Sequence, residues 1–399
     1  MKKIIALTLI LTLLFSFAGC GDTSEAEDVT TPNQEYSEKV TTAMQGIDIE
    51  FESETPLEYA ENFAIFNLEG GSVLLATYEN SIMEARILVL SDGALAPSDL
   101  PSDVIVFDEP LYDVFIASSP VMSLTNALGK VSSVNLTTST TWYIDEVNQA
   151  LDNGDMINIG SSSSPDYELI AANMPNLAIF SGGLDTLPDT YTQLAELGMK
   201  YISDKSPYES TPLGRTEWLK FFGILYDEYD LACELFDEQV EIVAEVENSI
   251  SQIADDDKKT VLFFYVSSSG AIYVRNEDDY LSNAIKIAGG EVLFTLDGSV
   301  GTSSISVTEE VFYALAAHAD VIIYNYSMGG KPTCADDIIN NRGLEMLSDF
   351  KAYQDGTIWA TSQDFYQITD TIGQMIGDIH TAIYDENADS NLTYLQRLS

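Results

Sequence analysis

Residues 227–254 read DEYDLACELFDEQVEIVAEVENSISQIA. Within this run Leu231, Leu235, Ile242, Val246, Ile250 and Ile253 recur at mostly helical spacing. Neither proline nor glycine interrupts it, and the cluster Asp255-Asp256-Asp257-Lys258-Lys259 ends it. As a single helix it spans roughly 40 Å, longer than an ordinary domain helix. An apolar helical run, Glu217–Tyr226, precedes it, so a helical segment covers 217–257.

On both sides of this segment strand-like runs alternate with short helical patterns. Before it come Leu111–Ser118 (strand), Val121–Leu128 (helix, stopped by Gly129), Val131–Val134 (strand) and Trp142–Leu151 (helix). Met156–Ile159 (strand), Tyr167–Asn173 (helix), Leu177–Phe180 (strand), Thr190–Leu197 (helix) and Lys200–Ile202 (strand) follow. After it come Val261–Val266 (strand), Tyr280–Ala288 (helix, stopped by Gly289-Gly290), Glu309–Ala317 (helix) and Val321–Tyr324 (strand). Gly343–Asp349 (helix), Thr357–Ala360 (strand) and Ile368–Tyr384 (helix) complete the series. Such alternation predicts α/β units with parallel sheets. The expected fold is α/β: two Rossmann-like lobes, 108–216 and 258–399, joined by one long interdomain helix. An additional small β-rich segment at 46–107 carries the runs Tyr59–Phe66, Ser72–Tyr78 and Ala85–Leu90 between turn residues.

The chain opens MKKIIALTLILTLLFSFAGC. Lys2 and Lys3 form a positive n-region, and Ile4–Phe17 an apolar stretch too short for a stable bilayer span. Ala18-Gly19-Cys20 then resembles a bacterial lipoprotein signal. That resemblance implies cleavage after residue 19 and a diacylglyceryl group on Cys20. Residues 20–45 are rich in acidic and small polar side chains and read as a flexible tether. The expected location is extracytoplasmic, with the lipid holding the protein to the cell membrane.

Formal charge is −47, with 64 acidic against 17 basic side chains. Such a surface repels nucleic acid. It repels an anionic membrane equally, which leaves attachment to the lipid. Three cysteines, one of them Cys20, make no disulfide framework. Cys233 lies in a helical pattern and reads as a small apolar residue.

Several segments, in order, resemble the class III substrate-binding lipoproteins of ABC importers, which carry ferric siderophores, haem or cobalamin. They are Pro165-Asp-Tyr-Glu-Leu-Ile170 with Asn176-Leu-Ala-Ile179, and Ser206-Pro-Tyr-Glu-Ser-Thr-Pro-Leu-Gly-Arg-Thr-Glu-Trp218. Ala284-Ile-Lys-Ile-Ala-Gly-Gly290, and Val307-Thr-Glu-Glu-Val-Phe-Tyr313 with Ala319-Asp-Val-Ile-Ile323, continue the likeness. The resemblance implies a monomeric binding protein without cofactor or catalytic activity. It implies a bulky metal chelate held between the lobes and delivered to ABC permease subunits. It also implies a permease-docking glutamate on each lobe, matched by Glu168 and by Glu309 or Glu310, with Glu310 favoured because it directly precedes Val311-Phe312-Tyr313. The extra β-rich segment departs from the family pattern.

Loops after strands are where open α/β sheets bind ligands. There the aromatic candidates are Trp142, Tyr143, Tyr208, Tyr273, Trp359, Phe365 and Tyr366, with Ser118 and Ser119 after the first lobe's first strand. Flat aromatic walls suit a macrocycle or a bulky chelate. The only arginines are Arg86, Arg215, Arg275, Arg342 and Arg397. Of these Arg215 and Arg275 fall in segments expected near the cleft, where a guanidinium would hold a carboxylate or phosphate of the ligand. The two histidines, His318 and His380, are too far apart in sequence to supply a bare-metal site readily. The rival reading is an exported, lipid-anchored hydrolase using the same cleft. No nucleophile elbow, P-loop or G-x-G-x-x-G supports it.

Overall fold

The computed structural model describes residues 33–139, 141–181, 186–293, 303–326, 330–388 and 390–398. The signal and Cys20 lie outside them. The chain divides into residues 1–42 and a second unit, Ala43–Ser399. In the first, the described residues belong to α1 (Asn33–Ala43). Residues 33–43 of the expected flexible tether are therefore helical.

The second unit begins with a five-stranded sheet: β1 (Phe51–Thr55), β2 (Phe63–Leu68), β3 (Val73–Glu79), β4 (Ile82–Val89) and β5 (Val104–Phe107), in that order. The first four form an antiparallel meander, and β5 adds parallel to β4. Phe63, Ile65, Leu75 and Ile87 alternate onto one buried face. That face shares the main core with the helix after the first lobe, through Phe63 against Trp218 at 4.8 Å and Phe221 at 5.6 Å between ring centroids.

The first lobe is β6 (Val114–Ala117), α2 (Ser119–Ala127), β7 (Val134–Thr137), α3 (Asp145–Asn153) and β8 (Ile157–Asn158). Next comes a two-residue ladder of β9 (Gly160–Ser161) and β10 (Ser164–Pro165). α4 (Tyr167–Asn173), β11 (Leu177–Phe180), α5 (Pro188–Glu196) and β12 (Tyr201–Ser203) complete it. Its sheet is wholly parallel, in the order β12-β11-β6-β7-β8. Residues 131–133, expected as strand, make a 3-10 turn from which β7 departs.

The linking segment holds two helices, one for each helical run of the sequence. α6 (Pro212–Leu225) is buried on almost every side. Asp227 then adopts φ +57°, a left-handed conformation that helix propagation does not allow. Gly223 lets the chain turn back: a Cβ there would lie 2.5 Å from that of Ala232. Only after this break does α7 (Tyr229–Ile250) run for 22 residues, roughly 33 Å.

The second lobe comprises β13 (Thr260–Val266), β14 (Ile272–Arg275), α8 (Tyr280–Ile287), β15 (Glu291–Val292), β16 (Ser304–Val307), α9 (Glu309–Ala316) and β17 (Val321–Asn325). α10 (Ala335–Arg342), α11 (Lys351–Gln354), β18 (Ile358–Thr361), α12 (Ile372–Tyr384) and β19 (Leu395–Arg397) follow. The sheet runs β16-β14-β13-β17-β18-β19, with β15 also on β13. The run β13-β17-β18 is parallel and the flanking strands β14, β16 and β19 are antiparallel. Gly343 was expected to open a helix. At φ +70° it instead ends α10, and Glu345–Asp349 is a 3-10 turn.

Candidate functional site

In each lobe the parallel strands send their carboxyl ends the same way, so the loops that follow them gather at one edge. Hydrogen bonds join these loops across the lobes. Gln367 accepts from the Tyr143 amide at 2.9 Å and donates to the Thr141 carbonyl at 3.1 Å. Asn283 donates to the Ser210 carbonyl at 3.0 Å, Thr216 to that of Thr369 at 2.8 Å, and Ser123 to the Asp370 carboxylate. A cavity of about 290 Å³ opens at this seam between Ser123, Tyr143, Asp145, Asp364, Gln367 and Asp370. Carboxylates and amides dominate it, and among the described residues no lysine or arginine lines it.

Both cleft arginines from the sequence reading lie at the seam, close enough for each to bear on the other's charge. The Arg215 guanidinium stacks over Tyr280 at 3.6 Å and donates to the Pro207 carbonyl. Arg275 donates to the Tyr366 hydroxyl, faces Asp279 at 3.6 Å and lies 5.3 Å from the centre of the Phe263 ring. In both, the buried Nε–H has no protein acceptor. Asp204, wholly buried, accepts from the Ser118 hydroxyl at 2.6 Å and the Ser206 amide at 2.9 Å.

Burial lifts the carboxyl pKa of Asp204, Asp279, Asp370 and Asp378 above the usual range and lowers that of the Arg215 guanidinium. A raised folded-state pKa contributes stability that is complete below the unfolded value and lost as pH rises through the folded value. Depressed carboxyls act oppositely: Glu79, held down by its hydrogen bond from Lys205, and Asp337, held down by the Thr333 amide, lose their contribution as pH falls below the usual range. Falling pH also relieves the self-repulsion of a −47 chain. The thermal midpoint should therefore rise as pH falls from about 8 to about 5, then drop again below about 4. A midpoint that falls steadily across the first interval would contradict this.

Among the other candidates, Tyr143 (41%), Tyr208 (48%) and Tyr366 (38%) are open to solvent. Tyr273 stacks flat on Tyr265, centroids 4.9 Å apart. Ser118 is buried as the N-cap of α2, and Ser119 is half-buried. Three aromatics need correction. Trp359, 0% exposed, lies within β18 under the Arg397 guanidinium at 4.7 Å. Phe365 packs on Phe263, and Trp142 turns inward with its Nε1–H on the Ser139 carbonyl at 3.1 Å. All three belong to the core rather than to a ligand surface. Tyr326, Asp204, Tyr280 and Gln367 were missed. Tyr326 directly follows β17, and its position at a strand's carboxyl end was the available signal. Burial, with Tyr143 and Asp364 nearby, pushes its hydroxyl to about 12.

Glu168 and Glu310 are both exposed, each in the first turn of a helix, α4 and α9. Each helix leads into the amino end of a parallel strand, β11 and β17, so its own first turn stands toward the strands' carboxyl ends. Among the described residues no group of three or more His, Cys, Asp and Glu is placed to hold a metal ion.

Residues 116–364 match the family model described as periplasmic binding protein, and the chain belongs to that family. Its two α/β lobes are those of the class III binding proteins, and its role is to bind a solute outside the cytoplasm. It is 26% identical to an uncharacterized lipoprotein of Methanocaldococcus jannaschii over 97% of this chain and 94% of that one. A second such lipoprotein of the same organism is 24% identical over the full length of both. Among solved structures, a periplasmic binding protein from Veillonella parvula aligns over 80% of this chain and all of that one, with TM-score 0.58 and 14% identity. A periplasmic heme-binding protein from Pseudomonas aeruginosa aligns over 72% of this chain and 98% of that one, with TM-score 0.57 and 15% identity.

Proposed function

We propose that this chain is anchored by a lipid on Cys20, captures a bulky metal chelate between its lobes and delivers it unchanged to an ABC permease. The observation that carries the reading is the seam: loops at the strands' carboxyl ends meet there, carrying exposed Tyr143, Tyr208 and Tyr366 beside buried Arg275 and half-buried Arg215. Aromatic faces with little basic charge favour a corrinoid over a tri-anionic catecholate, which calls for several cations. Ferric siderophore and haem are the other chelates the reading admits. In a thermal-shift assay, cyanocobalamin, hemin or ferrioxamine B should raise the midpoint by mass action. Stabilisation only by an iron–catecholate complex would overturn the corrinoid preference. Turnover of a glycan or ester would overturn the binding reading in favour of a hydrolase.

Glu168 and Glu310 are the proposed contacts to permease arginines, where two spaced Arg–carboxylate pairs would fix orientation. The double variant Glu168→Arg, Glu310→Arg should keep ligand affinity and lose transport, since opposed like charges cost several kcal/mol, an order-of-magnitude figure. Near-normal uptake in reconstituted vesicles would remove the assignment.

A further inference from the structure

The sheet before the first lobe is attached to the loop that follows β12. Lys205, wholly buried, pairs with Glu79 of β3 at 2.6 Å and with Glu84 of β4 at 2.7 Å. The same ammonium lies 5.3 Å from the centre of the exposed Tyr208 ring. Asn80 and Ser81 join the two strands in a two-residue turn with φ +49° and +65°, and Glu79 pairs directly with Ile82. Directly paired side chains share a face. Ile82, 71% exposed, therefore lies on the face that carries the Glu79 carboxylate.

A lysine with no solvent exposure is rare unless paired. Here its partners come from an element remote in sequence, and it sits one residue after Asp204, which bonds Ser118. The backbone around it is a tight 3-10 turn: Asp204 accepts from the Ser206 amide, the Lys205 carbonyl from Tyr208 at 3.0 Å and the Ser206 carbonyl from Glu209 at 3.2 Å. Removing the carboxylates would leave a buried ammonium without counter-charge, and removing the ammonium would leave the turn untied from the hairpin.

We infer that the β3–β4 hairpin is a positioning element of the ligand site: by clasping Lys205 it fixes the 204–208 turn and the Tyr208 ring at the edge of the cleft, with Ile82 as an apolar lip beside them. The inference rests on the ligand site proposed above, which it extends to a part of the chain outside the family match. Lys205, Glu79 and Glu84 act through Tyr208 and need not touch the ligand.

The test uses the full chain without ligand. Amide hydrogen exchange of residues 203–209 should accelerate at least tenfold in Lys205→Met, while the β13 and β17 amides keep their protection. Lys205→Arg should retain most of the wild-type protection. Should Lys205→Met not fold, Glu79→Gln with Glu84→Gln replaces it, since both carboxylates are about one-third exposed. Unchanged exchange at 203–209, or equal acceleration throughout the chain, overturns the inference. For whichever of cyanocobalamin, hemin and ferrioxamine B the wild type binds, the acceleration should come with at least a fivefold weaker Kd, and an unaltered Kd also counts against it. If none of the three binds, the chelate reading fails, and the exchange result alone decides whether the hairpin holds the turn.

Discussion

Glu217→Ala should cost about 3–5 kcal/mol of folding stability, the range for stripping one partner from a buried charge pair. Glu217 is wholly buried in the second turn of α6, yet it accepts four hydrogen-bond donors. They are the backbone amides of Glu58 at 2.9 Å, Tyr59 at 2.8 Å and Ala60 at 2.8 Å, and the Lys220 ammonium at 2.9 Å. Glu209 takes the next two amides, Glu61 at 2.9 Å and Asn62 at 3.0 Å, with the Trp218 indole N–H at 2.9 Å. Five consecutive N–H groups are thus held by two buried carboxylates, which fastens the added sheet to the first lobe. Alanine would orphan three amides and leave the Lys220 charge over the Phe236 ring without its carboxylate. Glu217→Gln keeps one acceptor oxygen and should lose less. Urea unfolding measures both, and an alanine variant within about 1 kcal/mol of wild type would contradict the account.

The second large effect is expected at Gly373. A Cβ there would lie 2.5 Å from the Gln239 carbonyl oxygen and 3.0 Å from its Cα, both rigid backbone of α7. Alanine must therefore push α12 away from α7, which carries Ile372, Met375 and Ile376 out of the core. The loss should be about 1–3 kcal/mol, the usual range for overpacking. Gly377, one turn on, is the control: its Cβ would meet only Ile242 at 3.5 Å and Gln374 at 4.0 Å. There the helix propensity of alanine, worth up to about 1 kcal/mol over glycine, should leave the variant neutral or more stable. Equal midpoints for the two variants would show that the helices are not packed this closely.

The architecture was legible wherever periodicity was long and punctuated. α4 and β11 fall on the residues expected, because Asp166 caps the one and Asn176 precedes four consecutive buried apolar residues in the other. The helix expected over 227–254 is α7, Tyr229–Ile250, two residues shorter at its start, where the break from α6 falls, and four shorter at its end. The break depends on the Asp227 backbone and on Gly223 meeting Ala232, neither visible as periodicity. β14 was missed because Ile272–Arg275 is short and lies on an antiparallel flank. At the proposed site, Arg215 and Arg275 stood out because few arginines exist and these two fall in segments expected near the cleft. The aromatics were harder to sort. Trp359 lies within β18 and Tyr366 in the loop beyond it, and only three-dimensional packing separates a core indole from an exposed phenol. Lys205 was unreadable, since both its partners lie more than a hundred residues earlier.

Native mass spectrometry of the intact chain after incubation with an equimolar mixture of cyanocobalamin, hemin and ferrioxamine B tests the central claim most directly. The account predicts a single one-to-one adduct, with cyanocobalamin preferred, and ligand recovered from it at unchanged mass. Either no adduct with any chelate or release of a cleaved product would contradict it.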